Sequence, residues 1–173
     1  RKDTASGSAS FASGNTTMAS GNVSTAMGEA TVANGDYTMA VNHSTTATGY
    51  AGFAANEGTS ATGTISTAFG FGSKSKSYGG FVLGTYNDST NATDDVAYNG
   101  SNRAFQIGNG TADASRSNAM TVLFNGKTGI GTTTPDSLLT VEQGIWGKRG
   151  LRLSGLSTGV GTKALRSDAH GND

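Results

Sequence analysis

From Ala5 to Gly70 the chain keeps a strict period of seven. Alanine stands at Ala5, Ala12, Ala19, Ala26, Ala33, Ala40, Ala47, Ala54, Ala61 and Ala68. Two residues after each comes glycine or asparagine: Gly7, Gly14, Gly21, Gly28, Gly35, Asn42, Gly49, Asn56, Gly63 and Gly70. Four residues before these, Ser or Thr fills eight of the ten positions. Gly and Asn are the residues that accept positive φ, so one every seven predicts a corner every seven. The five residues between corners make a strand of about 17 Å. Side chains alternate along a strand, which puts Ser/Thr and Ala on one face. A face that is always small predicts the interior of a narrow solenoid, two strands and 14 residues to the coil. A coiled coil is excluded, because Gly or Asn would recur at one heptad position, and each Gly costs about 1 kcal/mol in a helix. An unstructured Ala/Gly/Ser/Thr linker keeps no phase.

The other face carries a period of 14. Ahead of alternate corners stand Phe11/Ser13, Thr25/Met27, Met39/Val41, Phe53/Ala55 and Thr67/Phe69, each pair with a sizeable apolar member. The intervening pairs, Met18/Ser20, Val32/Asn34, Thr46/Thr48 and Ser60/Thr62, are mostly polar. One sheet is therefore expected to be apolar outside and the other to face water. An apolar strip along an outer wall calls for a partner, and the simplest is another copy in closed symmetry. The residues assigned to that contact are Phe11, Met27, Met39, Val41, Phe53 and Phe69.

Composition agrees with regular stacking rather than a conventional core. Leu, Ile, Val and Phe together number 27 among 173 residues, against 22 Ala and 27 Gly. Such a chain buries little apolar area per residue. Its formal net charge is zero, which removes half of the signature of disorder. There is no cysteine, hence no disulfide framework and no thiolate metal site. No run approaches the roughly 20 apolar residues of a membrane-spanning helix, so no direct membrane insertion is expected. The abrupt start at Arg1-Lys2 and the end at Asn172-Asp173 suggest a piece of something longer.

The Ser/Thr-x-Ala-x-Gly pattern on a 14-residue coil resembles the head of YadA-like trimeric autotransporter adhesins. TTMASGN (16–22), STAMGEA (24–30) and STAFGFG (66–72) carry the resemblance, which covers roughly residues 3–84. It implies an all-β, left-handed parallel β-roll, three of which pack into a homotrimeric head. It also implies attachment to a host or neighbouring surface, with a glycan or matrix protein as target. The chain departs from the family where Phe11, Met27, Met39 and Phe69 replace its usual Val and Ile.

Beyond Gly84 the phase is lost. Residues 85–102 read as a polar, turn-rich insertion, 103–141 as a β-rich neck or connector, and 142–173 as the start of a further stalk. Within the neck, 119–124 reads as a strand and Asn125-Gly126 as a hairpin turn. Residues 127–131 read as the return strand, and 138–141 and 151–156 as further strands. Segment 103–135 resembles a connector that follows YadA-like heads in bacterial surface proteins and in phage tail fibres. The owner is thus expected to be an extracellular fibre, on a bacterial outer membrane or on a phage-like injection tail.

Signals for chemistry are weak. Gly126-Lys127-Thr128 ends like a phosphate-binding loop, but Thr121 stands where that loop needs Gly. His43 follows a corner and reads as an exposed turn residue, His170 lies in a polar tail, and Asp94-Asp95 reads as a solvated loop. Residues 3–72 contain no Lys or Arg, which argues against nucleic acid. Lys148, Arg149 and Arg152 read as solvated surface. No enzyme, cofactor or metal is expected. A third reading is an ice-binding face on the rows Thr46/Thr48 and Ser60/Thr62, but Met18 and Val32 interrupt them.

Overall fold

The computed structural model describes residues 2–90 and 95–142, and every regular element among them is a β-strand. All of these belong to one compact unit, Arg1–Gln143. The expected strand at 151–156, His170, Asp94 and the Lys148–Arg152 cluster lie outside the described residues.

Five-residue strands alternate with two-residue strands. The long ones are β2 (Phe11–Asn15), β4 (Thr25–Glu29), β6 (Met39–His43), β8 (Phe53–Glu57), β10 (Thr67–Phe71) and β12 (Phe81–Thr85). The short ones are β1 (Thr4–Ala5), β3 (Met18–Ala19), β5 (Val32–Ala33), β7 (Thr46–Ala47), β9 (Ser60–Ala61) and β11 (Lys74–Ser75). Long strands pair in parallel with long, short with short, and each residue lies opposite its equivalent 14 later, as in Ala26↔Ala40 and Ala33↔Ala47. The chain is a parallel β-solenoid with the 14-residue coil that the period demands. Its two sides are unequal, where the repeat suggested equal ones. After Ala19 the amides of Ser20 and Gly21 both turn onto the Ala33 carbonyl, at 3.0 and 3.3 Å, and the short ladder stops. After Ala26 the long strand runs on to Glu29.

Inside, the two alanine ladders meet. Ala19, Ala26, Ala33, Ala40, Ala47, Ala54, Ala61 and Ala68 have no exposed surface and form one cluster, with Ala12 partly buried at its edge. The Ser/Thr rows beside them are buried too, and many of their hydroxyls bond to their own corner. Ser24 Oγ and Thr38 Oγ1 each donate to a carbonyl three residues back, at 2.6 Å. Thr59 Oγ1 and Ser73 Oγ reach four residues back, at 3.1 and 2.8 Å. A buried hydroxyl left unpaired would cost about 1–3 kcal/mol. The space admits a small side chain, and most of the small polar ones find an acceptor close by, Thr31 Oγ1 excepted.

Corners form near every Gly or Asn; backbones approach closely at both corners, and positive φ is added at one of them. In the long strands, Gly14, Gly28, Asn42, Asn56, Gly70 and Gly84 do have positive φ, between 83° and 146°. At the other corner Gly21, Gly35, Gly49 and Gly63 do not. A Cβ on Gly21 would lie 1.9 Å from the Gly35 carbonyl oxygen of the next coil, so here glycine answers a close approach of backbones. The left-handed residues of these corners sit two positions later, at Ala9, Val23, Tyr37, Ala51 and Ile65. In general a left-handed L-residue costs roughly 1–2 kcal/mol.

Both ends of one Ser/Thr row carry a side chain that imitates backbone. At the first coil, Asp3 accepts from the amides of Gly14 and Thr17, each at 3.0 Å. At the last, Asn87 is fully buried; its Oδ1 accepts from the Lys74 amide at 2.7 Å and its Nδ2 donates to the Lys74 carbonyl at 3.0 Å and to Gln106 Oε1 at 3.0 Å. The Asn87 carboxamide thus takes the place of the next short strand and closes the edge of β11. Asn87→Leu is expected to cost about 3 kcal/mol by stranding buried polar groups. Urea denaturation reads the loss, with the Lys74 amide exchanging fastest. Wild-type stability would show that the cap is dispensable.

The long-strand sheet continues past the solenoid. β13 (Arg103–Asn109) adds in parallel to β12, matching Phe81↔Phe105 and Leu83↔Ile107. β14 (Asn118–Leu123) and β15 (Thr128–Ile130) form an antiparallel hairpin, and β16 (Leu139–Val141) adds in parallel to β15. The hairpin turns at the expected Asn125-Gly126, with Gly126 at φ 87° after a turn closed by its amide on the Leu123 carbonyl at 2.9 Å. The short-strand sheet has ended by then, and the alanine row passes through Val82 to Gln106 and Thr121, all buried. Polar bonds hold this end: the Asp88 amide donates to Asn118 Oδ1 at 2.8 Å, and Gln106 Nε2 donates to the Asp88 carbonyl at 3.0 Å. Arg103, also buried, donates to that carbonyl as well and lies 3.6 Å from the Asp88 carboxylate.

Candidate interface

All six residues assigned to a partner contact project from the outer face of the long-strand sheet. Phe11 is 52% exposed, Met27 and Met39 are each 43% exposed, and Val41, Phe53 and Phe69 are half-buried. The pairing register stacks them in a column, Phe11/Ser13 on Thr25/Met27, then Met39/Val41, Phe53/Ala55 and Thr67/Phe69.

The column is longer than the repeat indicated. It runs on through Phe81/Leu83, Phe105/Ile107, Val122/Met120, Ile130 and finally Leu139/Val141. Aromatic rings bind its middle: Phe53 and Phe69 meet edge to face at 5.0 Å, Phe69 and Phe81 lie 6.1 Å apart, and Phe81 stacks on Phe105 at 5.9 Å. Phe81/Leu83 is one more step of 14 and could have been read. Phe105/Ile107 could not, because 24 residues rather than 14 separate Phe81 from Phe105. Buried Arg103 was also invisible. Plain alternation would put it outside with Phe105 and Ile107, but the register shifts between Arg103 and Phe105 and turns it inward.

The remaining surfaces are mixed: apolar side chains such as Met18, Val23, Tyr37, Tyr50, Ile65 and Phe71 stand exposed among polar ones. The short-strand sheet shows Ser20, Asn34, Thr48 and Lys76, with Ser20 Oγ donating to Asn34 Oδ1 at 2.6 Å. One corner carries Asn15, Glu29, His43 and Glu57 in a row. Asn15 Nδ2 donates to Glu29 Oε1 at 2.9 Å, and exposed His43 Nδ1 lies 3.6 Å from Glu57 Oε1. Beside them an open trough of about 340 Å³ is lined by Phe71, Lys74, Tyr86, Asp113 and Arg116 among others. Its charges are taken up internally. Arg116 lies 5.5 Å over the Tyr86 ring, donates to the Gly72 and Asn87 carbonyls, and pairs with Asp113, which Lys74 also reaches at 3.0 Å.

Hydrogen bonds from Arg116 and Lys74 hold the Asp113 carboxyl down at about 2. A depressed carboxyl adds stability above its unfolded value, about 3.9, and loses it as pH falls from there through the folded value. Carbon NMR titration of Asp113 should give a midpoint near 2, rising toward the ordinary value in Arg116→Gln. An ordinary midpoint in the wild-type chain would contradict the pairing.

Among the described residues no group of three or more His, Cys, Asp or Glu is placed to hold a metal ion. Lys127, from the sequence that ends like a phosphate loop, donates to the Asp136 carbonyl at 2.8 Å, in the link between β15 and β16. The largest unexplained surface is thus the apolar column. Compared with protein-family models, curated proteins and solved structures, the chain matches none.

Proposed function

We propose that this chain is the head and neck of a homotrimeric, non-enzymatic attachment fibre of the YadA-like kind. The observation that carries the reading is the continuous apolar column on one sheet, faced by no other part of the described chain. Half-exposed Phe and Met in register over so many strands form the kind of patch that marks an interface. A solenoid whose coils repeat identically matches another copy of itself coil for coil, and three copies close a ring about an axis along the stack. The polar sheet and the charged corner then face outward, in triplicate.

The mechanism of attachment is avidity. Three identical, shallow polar surfaces engage a repetitive glycan or matrix protein together, and linked sites gain about 10²–10⁴ over one site. The test is retention on arrays of glycans and matrix proteins. The wild-type chain should bind at least one class of spot, and a monomeric but folded variant should lose about 100-fold or more of that retention. Equal retention by monomer and wild type, or none on any surface, would overturn the reading.

A further inference from the structure

Three of the left-handed residues at the corner that leads into the long strands are large: Val23, Tyr37 and Ile65, at φ of 52°, 60° and 54°. β-Branched and aromatic side chains are out of place there, whereas Gly or Asn would sit freely. Burial within the chain does not offset the strain, since Val23 is 52%, Tyr37 54% and Ile65 48% exposed. Tyr50, 55% exposed, adds its ring edge to face against Tyr37 at 5.3 Å. The opposite corner differs over its first five coils, with Thr16, Ala30, Ser44, Gly58 and Gly72 in the left-handed region, and becomes aromatic only at Tyr86, φ 37°. One edge of the solenoid therefore carries a strained, mainly apolar ridge with Asp36 beside it, while the other is small and polar until Phe71 and Tyr86. Strain held at exposed residues points to a role outside the protomer.

Symmetry says what that role is. In a three-fold ring each copy offers one patch and receives a different one. The long-strand face supplies the first. The second must be apolar, run along the solenoid and repeat with the coil, and the ridge does all three. We infer that the ridge of Val23, Tyr37, Tyr50 and Ile65 docks onto the long-strand face of the next copy in the trimer. The inference rests on the trimeric reading above. About an axis along the stack, equal residues lie at equal height, so Tyr37 of one copy meets the Met39–Val41 level of its neighbour. The strain is then offset by burial that only assembly provides.

The absence of native cysteine makes cross-linking a clean test. Tyr37 and Val41 stand four residues apart, about 13 Å when extended, too far for an internal disulfide, whose Cα atoms lie within about 7 Å. Tyr37→Cys/Val41→Cys under mild oxidation should give a covalent trimer on a denaturing gel, and each single variant only monomer. Separately, Tyr37→Asp should weaken trimer association by about 100-fold in sedimentation with an unchanged β-sheet spectrum, as expected for a buried aromatic anchor. A trimeric wild type would overturn the ridge but keep the trimer if the double variant stays uncrosslinked and Tyr37→Asp stays trimeric. Covalent dimers from Val41→Cys alone would overturn the ridge as well. A monomeric wild type would overturn both readings.

Discussion

Gly21→Ala is expected to unfold the solenoid or to destabilise it by more than about 4 kcal/mol, beyond the ordinary range of single substitutions. The reason is steric and local. The new methyl carbon would sit 1.9 Å from the Gly35 carbonyl oxygen and 2.4 Å from its carbon, and both belong to the backbone of the next coil. Nothing there can swing aside. Relief requires the coils to part, and the coil spacing is set by ladders on both sheets. Gly126→Ala is the matched control. It has φ 87° but nothing within 4 Å of its would-be Cβ, so it should cost only the left-handed penalty, about 1–2 kcal/mol. Urea denaturation of the two variants separates the causes. Equal costs would show that the approach of neighbouring coils does not require glycine at Gly21.

Met39→Asp and Phe53→Asp should abolish assembly while leaving the protomer folded. In the single chain Met39 is 43% exposed and Phe53 half-buried, both on the outer face, so a carboxylate at Met39 can reach water. In the proposed trimer the same carboxylate would be buried without a partner. Breaking a buried pair by leaving one charge alone costs about 3–5 kcal/mol, and the penalty recurs in each of three interfaces. Sedimentation should report monomers at concentrations where the wild type is trimeric, and circular dichroism should report the same β content. A trimer from either variant would mean that the long-strand face points elsewhere.

Much of the architecture was legible because the interior is so narrow. A space that admits only Ala and Ser/Thr writes its period directly into the chain, and strand alternation then sorts the remaining positions onto faces. The unequal strands were not legible, since Ser20-Gly21 and Met27-Gly28 follow the same alanine and differ only in one outward residue. The ladder stops after Ala19 because two amides share the Ala33 carbonyl, a detail no residue type announces. The corner rule was half visible. Asn42 and Asn56 point to positive φ and have it, whereas Gly21 and Gly35 hold the same place in the repeat without it and are needed for contact. The strained Val23, Tyr37 and Ile65 went unread because the left-handed residue lies two positions past the glycine. At the neck, a ten-residue insertion hid Phe105 and Ile107, and a register shift hid Arg103.

The most direct test of the account is the solution mass of this chain by light scattering. The account predicts three times the 17.3 kDa of one chain, held across dilution into the micromolar range. A mass of 17.3 kDa at all concentrations would contradict it, and the apolar column would then need another occupant.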